Sequence, residues 1–229
     1  MAELKWPRKI LIIRHGESEQ NIAEDLLQDD LKNVLDRLKN IRDADIELTE
    51  KGKSQAKKTG LYLAKEEEFD ICLCSPYKRT LETAENIISG LPYELKIHKD
   101  DRLREKGFGI LHSLSTEEIK EKYPEEYHAR ERDGKYYYCL PGGENYPMVG
   151  MRMHSIADKL IRDHAGQNVM IVTHQVPSKM FRAMYEHLGE KEVLSLENIA
   201  NCGMTSFVIC TSKVPEGRMK LEFYNKVAY

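Results

Sequence analysis

The residues with the clearest chemical potential are Arg14 and His15, which stand directly after the apolar run 10–13. A neutral imidazole is a nucleophile near pH 7, and a guanidinium presents a planar fork of donors that fits phosphate or carboxylate oxygens. Gly16 follows and lets the backbone turn tightly beside a bound group. Taken alone, the tripeptide fits an ordinary surface turn after a core strand as well as it fits an anion-binding site that carries a nucleophile.

Three more residues of suitable chemistry follow apolar segments further along the chain. Arg79 falls in the first turn of a helix that begins after Ser75 and Pro76, and Glu105 lies in a loop punctuated by glycines. His174 ends an apolar run. A single arginine in a first helical turn is usually solvated, but ligands of parallel sheets collect beyond the carboxyl ends of the strands. We therefore expect one site built from Arg14, His15, Arg79, Glu105 and His174.

Apolar periodicity predicts the elements that must position these side chains. The expected strands are 10–13, 69–74, 94–98 and 168–173. A closing hairpin is expected from 205–210 and 219–224, around the turn Pro215-Glu216-Gly217. Because 10–13 is apolar on both faces, it is predicted to be a central strand of a parallel sheet covered by helices.

Two longer segments are predicted to surround the site. An amphipathic helix is expected over about 22–44, either as packing structure or as a lid. In the cap-like segment of about 112–147, Ser115 and Glu118 form a capping box before a helix that Pro124 interrupts. A loop is expected around 135–144. Its approach carries residues that either border the site or form a solvated helix end, namely Arg130, Arg132, Lys135, Tyr136, Tyr137 and Tyr138.

The helix expected over 148–164 completes the predicted packing around the sheet. We expect its buried side to consist of Met151, Ile156, Leu160 and Ile161. Methionine fills irregular gaps in apolar cores, so the methionines of this helix are interpreted as core filler rather than as ligand contacts.

Composition narrows the classes of function. The 229 residues, with a net charge of −3, fit one globular domain over 1–229 and leave no basic footprint for nucleic acid. The first residues lack the apolar stretch of a signal peptide, and no segment approaches a membrane span, so a cytoplasmic protein is expected. Five cysteines without a C-x-x-C pair are expected to be ordinary buried thiols, and the eight histidines show no zincin spacing, so neither metal nor other cofactor is expected.

In order along the chain, these motifs resemble those of the histidine phosphatase superfamily, whose members are phosphoglycerate mutase-like. The matching motifs are Arg14-His15-Gly16-Glu17, Leu48-Thr49-x-x-Gly52, Ser75-Pro76-x-x-Arg79, Leu103-Arg104-Glu105, Pro141-Gly142-Gly143-Glu144 and Val172-Thr173-His174. The resemblance runs from about residue 9 to 210. It implies an α/β three-layer sandwich, in which a mostly parallel central sheet has helices on both faces.

The resemblance also implies a role for each matching residue. His15 would accept the phosphoryl group, with Arg14, Arg79 and His174 around its oxygens, and Glu105 would protonate the leaving oxygen. Asn21 would add a phosphate contact. Gln175 would also contact the phosphate, and because it stands where many members have glycine it is expected to narrow the floor of the pocket. Arginines and a histidine supply the positive charge in such a site, so no metal is required.

Within the superfamily we favour a histidine-type acid phosphatase, a phosphoric monoester hydrolase that acts through a phosphohistidine intermediate. The mutase stretch Glu-Arg-His-Tyr-Gly reads here as Glu-Lys-Gly-Phe-Gly at 105–109, which argues against phosphoglycerate mutase-type phosphoryl transfer. A non-catalytic phosphate-binding scaffold is a third option. The expected partner is a small phosphorylated substrate, whose identity the sequence leaves open, as it leaves open a homodimer. Neither nucleic acid nor a membrane is expected as a partner.

Overall fold

The computed structural model describes residues 5–25, 34, 37–38, 40–66, 68–112, 114–210 and 218–229. Its strands are β1 (Lys9–Arg14), β2 (Ile71–Cys74), β3 (Ile97–Lys99), β4 (Asn168–Thr173), β5 (Met204–Cys210) and β6 (Arg218–Lys226). They form one six-stranded sheet in the order β3-β2-β4-β1-β5-β6. The first four strands of this order are parallel to one another, whereas β5 is antiparallel to β1 and β6 is antiparallel to β5. The predicted mostly parallel sheet and the closing pair of antiparallel strands are confirmed, while the predicted turn Pro215-Glu216-Gly217 lies outside the described residues.

The helices in the described ranges lie around this sheet. They are α1 (Glu19–Asp25), α2 (Glu50–Leu63), α3 (Lys78–Ile88), α4 (Thr116–Lys122), α5 (Pro124–Tyr137), α6 (Tyr146–Asp163), α7 (Gln175–Glu186) and α8 (Glu190–Ser195). Short 3-10 turns occupy Asp43–Asp45, Asp101–Leu103 and Gly109–Leu111. No helix among the described residues is both long enough and apolar enough to cross a membrane.

Side-chain alternation along β1 divides the core between the two faces of the sheet. Ile10 and Ile12 join a buried cluster with residues of α6 and α7, whereas Leu11 and Ile13 join a second cluster with residues of α2 and α3. Successive residues of a strand point to opposite faces, so a run that is apolar at every position requires helices on both sides. The predicted three-layer arrangement is therefore confirmed.

The register between β1 and β4 places the carboxyl ends of these two strands at the same level. Arg14 pairs with Thr173, and the backbone N–H of His15 donates to the carbonyl of Thr173 at 3.0 Å. The residues that follow, His15 and His174, consequently leave neighbouring strands at the same level. This is the carboxyl edge at which the sequence predicts a site.

Several predicted elements differ in extent from the observed ones. The third strand begins at Ile97 rather than at residue 94, and the second begins at Ile71 rather than at residue 69. Residues 135–137, predicted to lie in a loop, form the end of α5. Gly134, with φ of 75° and ψ of 156°, has non-helical backbone, so the short helical segment 135–137 follows a break inside α5. Most of the predicted helix 22–44 lies outside the described residues.

The buried side of α6 and the cysteines also need correction. The helix packs through Val149, Met153, Ile156 and Leu160, so Met151 projects away from the sheet and is 71% exposed. Ile161 is only partly buried. Among the cysteines, Cys139 is exposed, while Cys72, Cys74 and Cys202 are buried free thiols.

The loop after β1 meets the start of α2 through backbone alone. A Cβ added to Gly52 would lie 2.0 Å from the carbonyl oxygen of Glu17, and one added to Gly16 would lie 2.6 Å from the carbonyl oxygen of Gly52. Thr49 caps the helix by accepting from the N–H of Gly52, and its own N–H donates to the carbonyl of Glu17 at 2.9 Å. The helix start and the loop are thereby held in direct contact.

We predict that Gly52→Ala destabilises the protein. Alanine is favoured over glycine inside a helix by about 1 kcal/mol, but overpacking typically costs about 1–3 kcal/mol, and here the added carbon meets rigid backbone. The matched control is Gly150→Ala in α6, where a Cβ meets only the terminal methyl of Met180 at 3.0 Å. Denaturant unfolding should show a lower free energy of unfolding for Gly52→Ala but not for Gly150→Ala. An unchanged free energy of unfolding for Gly52→Ala would contradict the packing argument.

Candidate active site

A cavity of about 320 Å³ opens at the carboxyl edge of the sheet, where the sequence predicts a site. Its wall includes four of the five predicted catalytic residues, namely Arg14, His15, Arg79 and Glu105. Asn21 and Gln175 also lie on this wall. His174 is fully buried and lies behind His15, with the ring centroids 5.2 Å apart. The structure thus brings the predicted set together, with one member placed beneath the wall rather than on it.

The imidazole of His15 is held in one tautomer. Its Nδ1 lies 2.8 Å from the carbonyl oxygen of Gly16, and a carbonyl can only accept, so Nδ1 carries the proton. Nε2 is then the ring nitrogen with an available lone pair. Burial, followed by the positive charges of Arg79 and Arg14, holds the pKa of His15 well below its usual range. The ring is therefore neutral even in mildly acidic solution and has the lone pair of a potential nucleophile.

The loop that presents His15 is tied down on both sides. The N–H of Gly16 donates to Thr83 Oγ1 of α3 at 3.0 Å, and the N–H of Glu17 donates to Gln55 Oε1 of α2 at 2.9 Å. The carbonyl of His15 accepts from the N–H of Cys202 at 3.2 Å. These bonds come from elements on different sides of the loop, so His15 has little freedom to move.

His174 is also neutral and firmly positioned. Its Nε2 lies 2.9 Å from Ser75 Oγ, and the Tyr77 ring packs edge-on at 5.1 Å between centroids. Its Nδ1 has no hydrogen-bond partner among the described residues. Burial, Arg79 and His15 keep the pKa of His174 well below that of a free imidazole.

Two arginines line the cavity together with His15. Arg14 extends from the end of β1 and donates to the carbonyl of Ile199 at 2.5 Å. Arg79, only 2% exposed, forms an ion pair with Asp43 at 2.9 Å, and its guanidinium lies 4.9 Å from the Tyr77 ring centroid. Asp43 lines the cavity too, and sequence reasoning did not identify it. No periodicity marks a residue of a short 3-10 turn as part of a site.

The carboxylate of Glu105 is fixed by backbone donors at the N-terminus of α7. Oε2 accepts from the N–H of Gln175 at 3.0 Å, and Oε1 accepts from the N–H groups of Val176 and Lys106 at 3.2 and 2.7 Å. Burial raises the pKa of Glu105 above its usual value, outweighing the hydrogen bond from Lys106 and the charges of Arg79 and Arg14. Glu105 therefore retains a proton to higher pH than an ordinary carboxyl does.

Two other glutamates in the matched motifs do not line the cavity. Glu17 is bound by Thr49 Oγ1 at 2.9 Å and by Lys51 Nζ at 2.5 Å. Glu144 accepts from Arg104 at 2.9 Å, from Arg152 at 2.8 Å and from the N–H of Gly107 at 3.0 Å. These hydrogen bonds hold the loops that carry His15 and Glu105. Of the three glutamates, Glu105 is the one that lines the cavity within the described residues.

Asn21 and Gln175 differ in what they offer a ligand. The amide oxygen of Asn21 accepts from Ser18 and Asn201, while its amide nitrogen makes no hydrogen bond with the described residues. The side chain of Gln175 is engaged at both ends, donating to Asn198 Oδ1 at 2.6 Å and accepting from the N–H of Ile199 at 3.0 Å. Asn21 thus has a donor available for an anion, whereas Gln175 chiefly braces the wall.

The outer wall of the cavity carries further cations. Arg130 and Lys135, which the sequence left between two interpretations, do border the cavity, whereas Arg132 and residues 136–138 do not. Lys106 and Lys179 line it as well and were missed. Lys179 lies one helical turn after Gln175 on α7, a spacing that could have indicated it. Across the described ranges, no group of three histidine, cysteine or acidic side chains is placed to hold a metal ion.

Comparison with known proteins gives consistent matches over most of the chain. A model of the histidine phosphatase superfamily (branch 1) matches residues 10–218. Phosphoserine phosphatase 1 of Hydrogenobacter thermophilus is 33% identical over 177 residues, covering 77% of this chain and 74% of that protein. The human 6-phosphofructo-2-kinase/fructose-2,6-bisphosphatase 3 is 31% identical over 188 residues, covering 82% of this chain. The match spans only 31% of that longer protein.

Solved structures share the fold. The alpha-ribazole phosphatase from Shigella flexneri superposes with a TM-score of 0.74 at 23% identity, over 95% of this chain and 96% of that one. YhfR of Bacillus stearothermophilus superposes with a TM-score of 0.75 at 24% identity, over 96% and 97% of the two chains. At this identity the likeness concerns the fold alone.

We predict that His15 and His174 remain neutral when the pH is lowered through about 6.5, the value at which a free imidazole is half protonated. The shifts are downward for both, so protonation should begin only at more acidic pH. Ring-nitrogen NMR titration measures this, and it should also show the His15 proton on Nδ1. Spectra of His15→Asn and His174→Asn assign the signals. Half-protonation of His15 at pH 6.5 or above would refute the electrostatic description.

Proposed function

The chain belongs to the histidine phosphatase superfamily, and we propose that it hydrolyses a phosphomonoester through a phosphohistidine intermediate on His15. The observation that carries this proposal is the tautomer of His15, because Nδ1–H bound to Gly16 leaves Nε2 as a neutral nucleophile beside two arginines. Named phosphatases among the relatives support the reaction class.

The first step transfers the phosphoryl group. Nε2 of His15 attacks phosphorus, the bond from phosphorus to the ester oxygen breaks, and the proton of Glu105 passes to that oxygen to release an alcohol. The positive charges of Arg14 and Arg79 stabilise the three phosphoryl oxygens and the amide nitrogen of Asn21 donates to them, while buried His174 packs against the ring of His15. Positive side chains thus take the part that a metal ion plays in other phosphoryl transfers, so the proposed mechanism includes no metal.

The second step restores the enzyme. Glu105, now ionised, takes a proton from a water molecule as the water oxygen attacks phosphorus. The bond from phosphorus to Nε2 breaks, which releases inorganic phosphate and returns His15 to its neutral form. Glu105 regains the proton that it lost in the first step. Both half-reactions therefore use the same carboxyl group at the same place.

The pKa shifts support activity on the acid side of neutrality, as an acid phosphatase requires. The rate rises with pH as His15 loses its proton, and the lowered pKa of His15 moves this limb to low pH. The rate falls as Glu105 loses its proton, and the raised pKa of Glu105 moves that limb upward. The pH range over which the enzyme is active is therefore extended at both its acid and its alkaline limit.

A phosphate-release assay tests the two alternative functions. A phosphoglycerate mutase would return the phosphoryl group to a sugar acid, and a non-catalytic scaffold would release no phosphate.

We propose that residues 112–147 act as a cap over the cavity, which is supported by Arg130 and Lys135 on its wall. A cytoplasmic location and the choice between monomer and homodimer stay predictions from the sequence.

We predict that His15→Ala abolishes phosphate release, because the variant lacks the nucleophile, while a chelator leaves wild-type activity unchanged. Rapid quenching at alkaline pH, where phosphorus–nitrogen bonds survive, should trap the phosphoryl group on His15. Arg132→Ala is the matched control, since Arg132 is exposed and bound to Asp133 outside the cavity. A trapped label on another residue, or chelator inhibition reversed by a divalent ion, would defeat the mechanism.

We also predict that Glu105→Gln depends strongly on the leaving group. An alkoxide must be protonated as it departs, whereas p-nitrophenolate leaves unaided, so the loss should be about 10²- to 10⁴-fold on an alkyl phosphate and far smaller on p-nitrophenyl phosphate. The measurement is kcat/KM or single-turnover phosphorylation of His15, because slow dephosphorylation would hide the difference.

Glu144→Gln provides the control for this experiment. Glu144 holds the loop that carries Glu105 but does not line the cavity, so its loss should slow both substrates by the same factor. Circular dichroism and thermal unfolding confirm that each variant is folded. Equal losses for Glu105→Gln on the two substrates would remove Glu105 from the role of leaving-group acid.

A further inference from the structure

Beyond the arginines beside His15, four more cations line the cavity. They are Lys106, Arg130, Lys135 and Lys179. The carboxylates on the same wall are Asp43 and Glu105. Asp43 is paired with Arg79, and Glu105 is bound by backbone N–H groups. The outer wall, which we define as these four residues, therefore carries a positive charge that the carboxylates of the cavity do not neutralise.

Two members of the outer wall are buried without a carboxylate in contact. Lys106 is 8% exposed, and its Nζ donates to the carbonyl of Glu144 at 3.1 Å and lies over the Phe108 ring. Lys179 is 6% exposed and donates to the carbonyl of Leu196 at 2.7 Å and to Asn198 Oδ1 at 3.2 Å. Burial lowers the pKa of both lysines; Glu105 and Glu144 favour the charge on Lys106, and Glu197 favours that on Lys179, but none of them forms an ion pair with either ammonium within the described residues. An anion that arrives from outside could therefore bind both ammonium groups directly.

The other two members come from the cap. Arg130 lies on α5, and Lys135 follows the break at Gly134. Within the described ranges, neither forms a hydrogen bond or a salt bridge, whereas the neighbouring Arg132 is bound to Asp133 at 2.7 Å. The cations also oppose one another, since Arg130 disfavours the charge on Lys106 and Lys135 disfavours that on Lys179. A bound anion would relieve both repulsions.

We infer that the outer wall is a second anion subsite, and that the substrate is a small phosphomonoester which carries another anionic group, a phosphate or a carboxylate. The inference rests on the proposed function, in which Arg14, Arg79 and His15 hold the transferred phosphoryl group. That group leaves the outer four cations without a counter-charge. A cavity of about 320 Å³ admits a compact substrate that reaches from His15 to the outer wall.

The direct test is calorimetric binding of three phosphonates that share one carbon skeleton. Propylphosphonate carries one anionic group, 3-phosphonopropanoate adds a carboxylate, and propane-1,3-bisphosphonate adds a second phosphonate. We expect at least one of the two doubly anionic ligands to bind at least about tenfold more tightly than propylphosphonate, which is a modest demand for charge-assisted hydrogen bonds. The ligand that binds more tightly than propylphosphonate shows whether the second anionic group is phosphate-like or a carboxylate.

Variants test whether the gain in affinity comes from the outer wall. Arg130→Gln/Lys135→Gln removes two exposed charges that form no hydrogen bond or salt bridge within the described residues, so the variant should fold normally and lose most of the gain in affinity. Arg132→Gln removes a cation from the same helix outside the cavity and should keep the gain. Lys179→Gln, checked by thermal unfolding, tests the buried side in the same way.

The outcomes separate this inference from the proposed function. Equal affinity for all three ligands, or a gain that survives Arg130→Gln/Lys135→Gln, would overturn the second subsite whatever the turnover. In the turnover assay, O-phosphoserine and O-phosphoethanolamine differ only by a carboxylate. Release of phosphate from neither of them nor from p-nitrophenyl phosphate would overturn the proposed phosphatase, while the phosphonate measurements would still decide whether the outer wall binds a second anion.

Discussion

The site depends on a contact between two stretches of backbone that leaves no room for a side chain. The loop after β1 lies against the start of α2 so closely that a Cβ at Gly16 or Gly52 would enter the neighbouring peptide. This contact sets the direction in which the chain leaves the sheet. It thereby brings the carbonyl of Gly16 within 2.8 Å of His15 Nδ1, which fixes the tautomer on which the proposed chemistry rests.

Burial and positive charge act differently on the two kinds of titratable group. Both lower the pKa of His15 and of His174, so the two imidazoles lose their charge. For Glu105 they are opposed, because burial raises the pKa of the carboxyl group while Arg79 and Arg14 lower it, and burial is the larger effect. The pKa of Glu105 is raised although the N–H of Lys106 donates to its carboxylate, because the cost of burying the charge is larger.

The sequence predicted the sheet edge well because apolar strands that end in Arg14, His15 and His174 are local patterns. The spatial relation of these strands followed from the general rule for parallel sheets. Asp43, Lys106 and Lys179 could not be found in this way, since their place on the wall depends on how loops and helices pack. For α6 the predicted buried face was right at Ile156 and Leu160 but wrong at Met151 and Ile161, because a long helix with many apolar residues offers more than one stripe and only tertiary packing selects between them.

Because β1 pairs with β4, the geometry of the histidine pair is independent of substitutions in the cap. His15 and His174 leave adjacent strands at one level, so their spacing follows from the interstrand distance of about 4.8 Å rather than from loop conformation. Arg130 and Lys135 belong to a helical segment remote from that ladder. Substitutions there can alter which molecules enter while the histidine pair keeps its geometry, so substrate range can diversify over evolution without redesign of the bond-breaking machinery.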